Sequence, residues 1–302
     1  DVVRFLRTVP VEDLLKKRSH LIWKESIIMD PSSLKTGFAP AIEVVQDDRA
    51  FLTDLPINII AKGDTNRVPW LVGHTMDEGL MSSTAFLKKQ TSLTKFETNW
   101  EACISKAFGI DVGPESRGIA QKIQNFYVSD TERDTSNKME KFEKYTQLLT
   151  DSWFAFDTRE AILHQMKLSP VYFYMYNKTD LPMSYTNYNI AITGRRPFWI
   201  DDWLYSIKKF IRQTVLRLDP PYYGVDHCSD GLLYMGNSCI EPGSQHYEYS
   251  KDFVRLIVDF ASDKEKLLFR GEEFQPCKDE GKLQVFLFEN NNGRLIPDPF
   301  AH

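Results

Sequence analysis

Six apolar or aromatic residues in unbroken succession, Val171-Tyr-Phe-Tyr-Met-Tyr176, constrain this chain more than any other stretch. A run with no charged residue at either alternate position predicts a strand covered on both faces, as inside a mainly parallel sheet. Pro69-Trp-Leu-Val72 and Leu283-Gln-Val-Phe-Leu-Phe288 are runs of the same kind, the second near the end of the chain. Between them, residues 138–149 and 158–167 are rich in good helix formers. Phe253, Leu256, Ile257, Phe260 and Ala261 follow the i, i+3, i+4, i+7, i+8 spacing of an amphipathic helix, with Ser250 as its candidate cap. No internal repeat, low-complexity stretch or Gly/Ser-rich linker interrupts this pattern. Strands alternating with helices predict an α/β layer architecture.

Two short segments carry the chemistry. Val72-Gly-His-Thr-Met-Asp-Glu78-Gly79 is an apolar run ending in a carboxylate and a glycine, and Tyr223-Gly224-Val-Asp-His227-Cys-Ser-Asp230 is a glycine-supported turn presenting a histidine. In α/β hydrolases the serine nucleophile comes first in the chain, the acid second and the histidine last. The acid-then-histidine half of that order is present, whereas a Gly-x-Ser-x-Gly nucleophile turn is nowhere in the sequence. A serine hydroxyl attacks well only when an imidazole takes its proton. The imidazole in turn needs a buried carboxylate to fix its tautomer and stabilise its cation. Glu78 is the candidate acid, with Asp77 as the adjacent alternative, and His227 is the candidate base. Of the other histidines, His74 is expected to pack beside its strand; His164 falls in a polar helix, His20 and His246 in polar segments, and His302 is terminal.

These residues resemble the type-B carboxylesterase/cholinesterase family, in particular insect-type carboxylesterases and juvenile hormone esterases. The resemblance runs through Phe5-Leu-Arg-Thr-Val-Pro-Val-Glu-Asp-Leu14, Phe38-Ala-Pro-Ala-Ile-Glu43 and Phe51-Leu-Thr-Asp-Leu-Pro56. It continues through Val68-Pro-Trp-Leu-Val-Gly-His-Thr-Met-Asp-Glu-Gly79 and Gly224-x-x-His227-x-x-Asp230, five matches in family order. It implies an α/β-hydrolase fold, with this chain as the C-terminal portion of a mainly parallel sheet flanked by helices. It also implies that residues 1–302 are the C-terminal part of a single domain, with the acid at Glu78 rather than Asp77. The expected activity is carboxylic-ester hydrolysis through an acyl-enzyme, with a small hydrophobic ester as substrate. Nucleophile and oxyanion hole are expected in an N-terminal part of the same enzyme, and the chain by itself is expected to be inactive and unstable. The alternative is a catalytically silent relative that serves as a binding or adhesion ectodomain.

One segment departs from the family layout. An inserted helical stretch, about residues 185–221, lengthens the separation of acid and histidine. Trp199, Trp203, Ile207, Phe210, Ile211 and Leu218 fall at helix-like spacings within it, so it reads as a surface helix or as a lid.

The remaining features exclude more than they assign. A formal net charge of -5 gives no basic field for nucleic acid. No apolar stretch approaches the ~20 residues needed to span a bilayer. There is no phosphate-cradling glycine loop, no dinucleotide fingerprint and no metal-ligand spacing, so no cofactor or metal is expected. Ser32-Ser-Leu-Lys35 fits a Ser-x-x-Lys string without the motifs that accompany it in lactamases. Of the four cysteines, Cys228 and Cys239 would lie ~16 Å apart along a helix following His227, beyond disulfide reach. Cys239–Cys277 is then the favoured bridge, with free buried thiols as the alternative. Asn177-Lys-Thr179 is a glycosylation acceptor placed just after a strand. With the family resemblance it points to a secreted or extracellular protein, a cytoplasmic one being the alternative.

Overall fold

The computed structural model describes residues 2–14, 41–88, 90–111, 113–128, 138–181, 207, 211, 215, 224–235, 240, 242–277 and 283–301. These fall into two compact units, one of residues 1–59 and 82–145, the other of residues 60–81 and 146–302.

The second unit holds the sheet. Its strands are β1 (Trp70–Thr75), β2 (Val171–Tyr176), β5 (Gln284–Phe288) and β6 (Gly293–Pro297), in the order β1-β2-β5-β6. β1, β2 and β5 run parallel, and β6 closes the described sheet as an antiparallel edge. β2 is central, and its alternate side chains divide between two cores as its unbroken apolar run predicts. Val171, Phe173 and Met175 join Ile162 of the helix Phe156–Gln165 on one face. Tyr176, with Tyr172 and Tyr174 partly buried beside it, joins Phe253 and Leu256 of the helix Gln245–Ala261 on the other. Burial of that kind, about 1.5–3 kcal/mol for each large apolar side chain, sets the strand's register against its neighbours.

A second sheet is the two-residue hairpin of β3 (Leu267–Phe269) and β4 (Glu272–Phe274). Arg270 and Gly271 turn it with φ of 52° and 92°, the left-handed pair that matches strand twist. Arg270, which bears the steric cost, is tied down by Asp252 at 2.8 Å and the Asn291 carbonyl at 2.6 Å.

The helix Gln245–Ala261 starts earlier than its apolar spacing suggests. Ser244, not Ser250, is its cap, with extended backbone and a side chain that accepts from the Tyr247 N–H. Ser250 lies within the helix and donates to the Leu233 carbonyl. The two helices expected around residues 138–167 are Lys138–Thr150 and Phe156–Gln165, joined without a break by a π-helical turn, Asp151–Ala155.

The first unit is helical, with Gln90–Thr98, Trp100–Ala107 and Ser116–Tyr127 among its elements. Phe86, Phe96, Trp100 and Tyr145 meet there edge-on or tilted, their ring centroids 5.1–5.9 Å apart. The Trp100 indole N–H donates to the Ala120 carbonyl at 2.9 Å.

The expected Cys239–Cys277 bridge is not formed. Cys277 is a free buried thiol whose backbone pairs with Val171 and whose Sγ lies 3.5 Å from the Gln284 carbonyl, inside the core under the sheet. Burial pushes that thiol up from its ordinary pKa. Cys239 lies outside the described residues, as does the expected insertion at 185–221 apart from the single positions 207, 211 and 215.

Candidate active site

The acid turn is an extension of β1. After Thr75 the chain stays beside β2 for one more residue, the Met76 N–H donating to the Tyr176 carbonyl at 3.0 Å, and then turns through Asp77, Glu78 and Gly79. The Glu78 carboxylate folds back on its own strand, Oε1 accepting the Thr75 N–H at 2.8 Å. Gly79 lets the helix Lys138–Thr150 approach: a Cβ there would stand 2.3 Å from the Thr146 carbonyl oxygen. Its N–H instead donates to the Thr150 hydroxyl at 3.0 Å. Glu78 thus sits in a buried, hydrogen-bonded turn at the carboxyl end of a parallel strand, where open α/β sheets place their sites.

The histidine loop is bound to that turn. Asp77 accepts the Val225 N–H on Oδ2 at 2.8 Å, and the Asp77 N–H donates to the Val225 carbonyl at 2.9 Å. Gly224, at φ 138°, precedes this clamp. Within the loop Ser229 closes on Asp226 through both its N–H and its hydroxyl, and Asp226 is fully buried. Cys228, exposed, takes the left-handed conformation at φ 64° that this tight turn requires. Asp230 ends the loop as the cap of the short helix Gly231–Tyr234.

Glu78 and His227 meet, although 149 residues separate them. The His227 Nδ1 donates to Glu78 Oε2 at 2.5 Å. The carboxylate side chain is 6% exposed and the imidazole 33%, so the acid is enclosed while the ring reaches the surface of the site. The hydrogen bond to Glu78 raises the His227 pKa above its ordinary value; burial opposes this, and the charges of Glu78, Asp226 and Asp230 add to it. Phe154, from the π-helical turn, lies against the imidazole with ring centroids 5.2 Å apart. Bonding through Nδ1 leaves Nε2 as the nitrogen for a reacting hydroxyl. The arrangement is thus suited to take and return a proton at one atom, with a buried negative charge to stabilise the cation formed.

The two neighbouring carboxylates have different partners. Asp77, the alternative acid, accepts from the backbone N–H of residue 225, and Glu78 bonds the His227 ring. His74 packs as the sequence suggests, buried between Phe173 and Phe300, its Nδ1 2.8 Å from the Thr75 carbonyl. His164 lies in the helix Phe156–Gln165 and His246 in the helix Gln245–Ala261, while His20 and His302 lie outside the described residues. Asn177 stands directly after β2, its N–H donating to the Phe288 carbonyl at 2.8 Å, with Thr179 exposed two residues on. Thr150, Phe154 and Tyr174 were not legible as site residues, since none belongs to a motif and each arrives through packing. Among the described residues no group of three or more His, Cys, Asp or Glu is placed to hold a metal, and no helix is long and apolar enough to cross a membrane.

Comparison with known proteins shows the family and the fold of this chain. Residues 1–295 match the model of the carboxylesterase family. The chain is 28% identical over 147 residues to venom carboxylesterase-6 of Apis mellifera, covering 47% of this chain and 26% of that protein. It is 42% identical over 239 residues to Esterase-5A of Drosophila persimilis, covering 78% of this chain and 40% of that one. The chain therefore spans less than half the length of these relatives. Among solved structures, juvenile hormone esterase from Manduca sexta, with OTFP covalently attached, superposes with a TM-score of 0.62 at 15% identity. That superposition covers 98% of this chain and 49% of the other, and it shows the α/β-hydrolase fold.

Proposed function

The chain belongs to the carboxylesterase family, and from that premise we propose that it supplies the acid and the base of a Ser-Glu-His triad in a carboxylic-ester hydrolase. The observation that carries this reading is the 2.5 Å contact between His227 Nδ1 and Glu78 Oε2. The serine and the oxyanion donors come from a preceding part of the protein, in keeping with relatives more than twice the matched length. β1, which among the described residues pairs with β2 alone, offers the edge on which that part builds.

In this mechanism the serine Oγ attacks the ester carbonyl carbon while its proton passes to His227 Nε2. The resulting imidazolium is held by Glu78 and then protonates the departing alkoxide, leaving an acyl-enzyme and a neutral imidazole. Water repeats the sequence, its proton going to Nε2 and returning to the serine as the carboxylic acid leaves. Phe154 beside the base favours a small hydrophobic ester. The test is turnover of p-nitrophenyl acetate by the full-length protein, together with covalent labelling by a fluorophosphonate, which reports an activated serine. Turnover with labelling is expected; absence of both overturns the reading in favour of a silent binding relative.

The raised pKa of His227 gives this reading a pH signature. A general base works only when deprotonated, so the acid limb of kcat/KM should lie above the ~6.5 of an unperturbed imidazole. A limb at or below that value would show that Glu78 does not act on the ring in the working enzyme.

We propose further that the protein is secreted and carries a glycan on Asn177. Expressed through a secretory pathway, the wild type should gain mobility on treatment with peptide N-glycosidase, and Asn177→Gln should remove one such increment. Identical mobility shifts in both proteins would leave Asn177 unmodified.

A further inference from the structure

The histidine loop is held at its start by Asp77, and a second, separate contact holds its end. Tyr174, in the middle of β2, donates its phenolic hydrogen to Asp230 Oδ2 at 2.7 Å, while Asp230 Oδ1 accepts the Gly231 N–H at 2.9 Å. The sheet is built to deliver that phenol. Tyr174 pairs in register with Gly73 of β1, and its ring lies over the glycine: a Cβ at residue 73 would come within 2.5–2.6 Å of three ring carbons. On its other sides the ring meets Phe253 and Phe288 edge-on, at 6.2 and 5.4 Å. A ring so enclosed has one orientation, and its hydroxyl has one carboxylate to reach. We propose that Tyr174 is a positioning residue for ester hydrolysis, its phenol fixing the Asp230 carboxylate three residues beyond His227 and thereby the end of the loop that carries the base. This rests on the triad reading above.

The electrostatics of the cluster favour the same role. Burial first, and the charge of Glu78 with it, push the Asp230 carboxyl up from its ordinary pKa; the Tyr174 phenol and the Gly231 N–H act against that rise. Tyr174 is itself pushed far above the ordinary phenol range by burial and by Asp230, so it remains a donor at every working pH. An ionised Asp230 in turn adds to the forces that raise His227. The other groups facing these residues are Glu78 and Asp226 near the imidazole, Cys228 beside it, and Tyr234, whose phenol is raised by burial and by Asp230. Without the Tyr174 hydroxyl, Asp230 takes up a proton more readily and its charge near the base is weakened.

The test uses the full-length protein, with Tyr174→Phe, Asp230→Asn and His227→Ala. Two quantities are read: the pH dependence of kcat/KM for p-nitrophenyl acetate, and the NMR pH titration of the His227 ring, assigned by its absence in His227→Ala. In both Tyr174→Phe and Asp230→Asn the ring titration and the acid limb should move together to lower pH, more in Asp230→Asn. The kcat/KM plateau should fall about threefold to thirtyfold through a weaker, less well placed base. A fall in kcat/KM with titration and limb both unmoved would mean that the pair is only structural and would overturn the proposal. So would unchanged behaviour in both variants. If the wild type shows no turnover the triad reading fails, yet the NMR titration still decides whether Tyr174 and Asp230 act on His227. Asp230→Asn keeps the test open if the phenylalanine variant does not fold, and the reverse holds.

Discussion

His227→Ala in the full-length protein is expected to lower kcat for p-nitrophenyl esters by about 10⁴- to 10⁶-fold, leaving only binding and oxyanion stabilisation. Glu78→Gln should cost about 10³- to 10⁴-fold, and the reason can be read from the hydrogen bonds. Both groups on the Glu78 carboxylate are donors, the Thr75 N–H at 2.8 Å and His227 Nδ1 at 2.5 Å. A carboxylate has two acceptors for them, whereas an amide has one acceptor and one donor. If the Gln amide NH₂ faces the ring, the imidazole must take the other tautomer and its Nε2 carries a proton instead of receiving one. If it faces Thr75, a buried N–H loses its partner and the imidazolium loses its counter-charge. Either arrangement spoils the base. His227→Ala should also melt a few degrees lower, because it strands the buried Glu78 carboxylate without its main partner. Steady-state kinetics and thermal melts check both. Wild-type-like turnover in His227→Ala would end the triad assignment, and an intact Glu78→Gln enzyme would remove Glu78 from it.

How much of this was legible before the structure depends on how local each signal is. β2 announces itself because both of its faces are buried, so that no polar residue interrupts Val171–Tyr176. β3 and β4 are three residues each, too short for a period-two pattern, and Glu272 and Glu273 hide the second among surface charges. β6 contains Arg294 and ends at Pro297, which suits an edge strand but reads as a loop. The helix of residues 245–261 showed its apolar stripe from Phe253 onward; its first two turns are polar, which is why Ser250 looked like the cap in place of Ser244. Glu78 and His227 stand in local motifs, and the family resemblance tied them together across 149 residues. Tyr174 and Asp230 share no motif: 56 residues separate them, and their meeting depends on the register of β2 against Gly73. The expectation of a Cys239–Cys277 bridge fails for the same reason, since spacing along the chain does not reveal that Cys277 is a free thiol buried in the core.

Gly224→Ala is expected to have the next largest effect after His227→Ala and Glu78→Gln, and it separates the carboxylate that clamps the loop from the one that serves the base. Gly224 sits at φ 138°, a region closed to side-chain-bearing residues, and a Cβ there would stand 2.5 Å from Asp77 Oδ2 and 2.8 Å from its Cγ. The strain alone is about 1–3 kcal/mol. Relieving the clash means moving Asp77 off the Val225 N–H, the bond that fixes where the loop begins two residues before His227. A displacement of about 1 Å at a reacting group costs about 10²-fold, so kcat should fall by about that factor with KM little changed. Asp77→Asn should be far milder, because an asparagine oxygen can still accept from Val225 N–H. Asp77→Ala, which removes the acceptor, should approach the glycine variant, and Gly224→Ala combined with Asp77→Ala should be no worse than Gly224→Ala alone. Kinetics on the four proteins decide the matter. A loss in Asp77→Asn exceeding that in Glu78→Gln would transfer the acid to Asp77. Fully additive losses in the double variant would show that the glycine acts on something other than the Asp77 clamp.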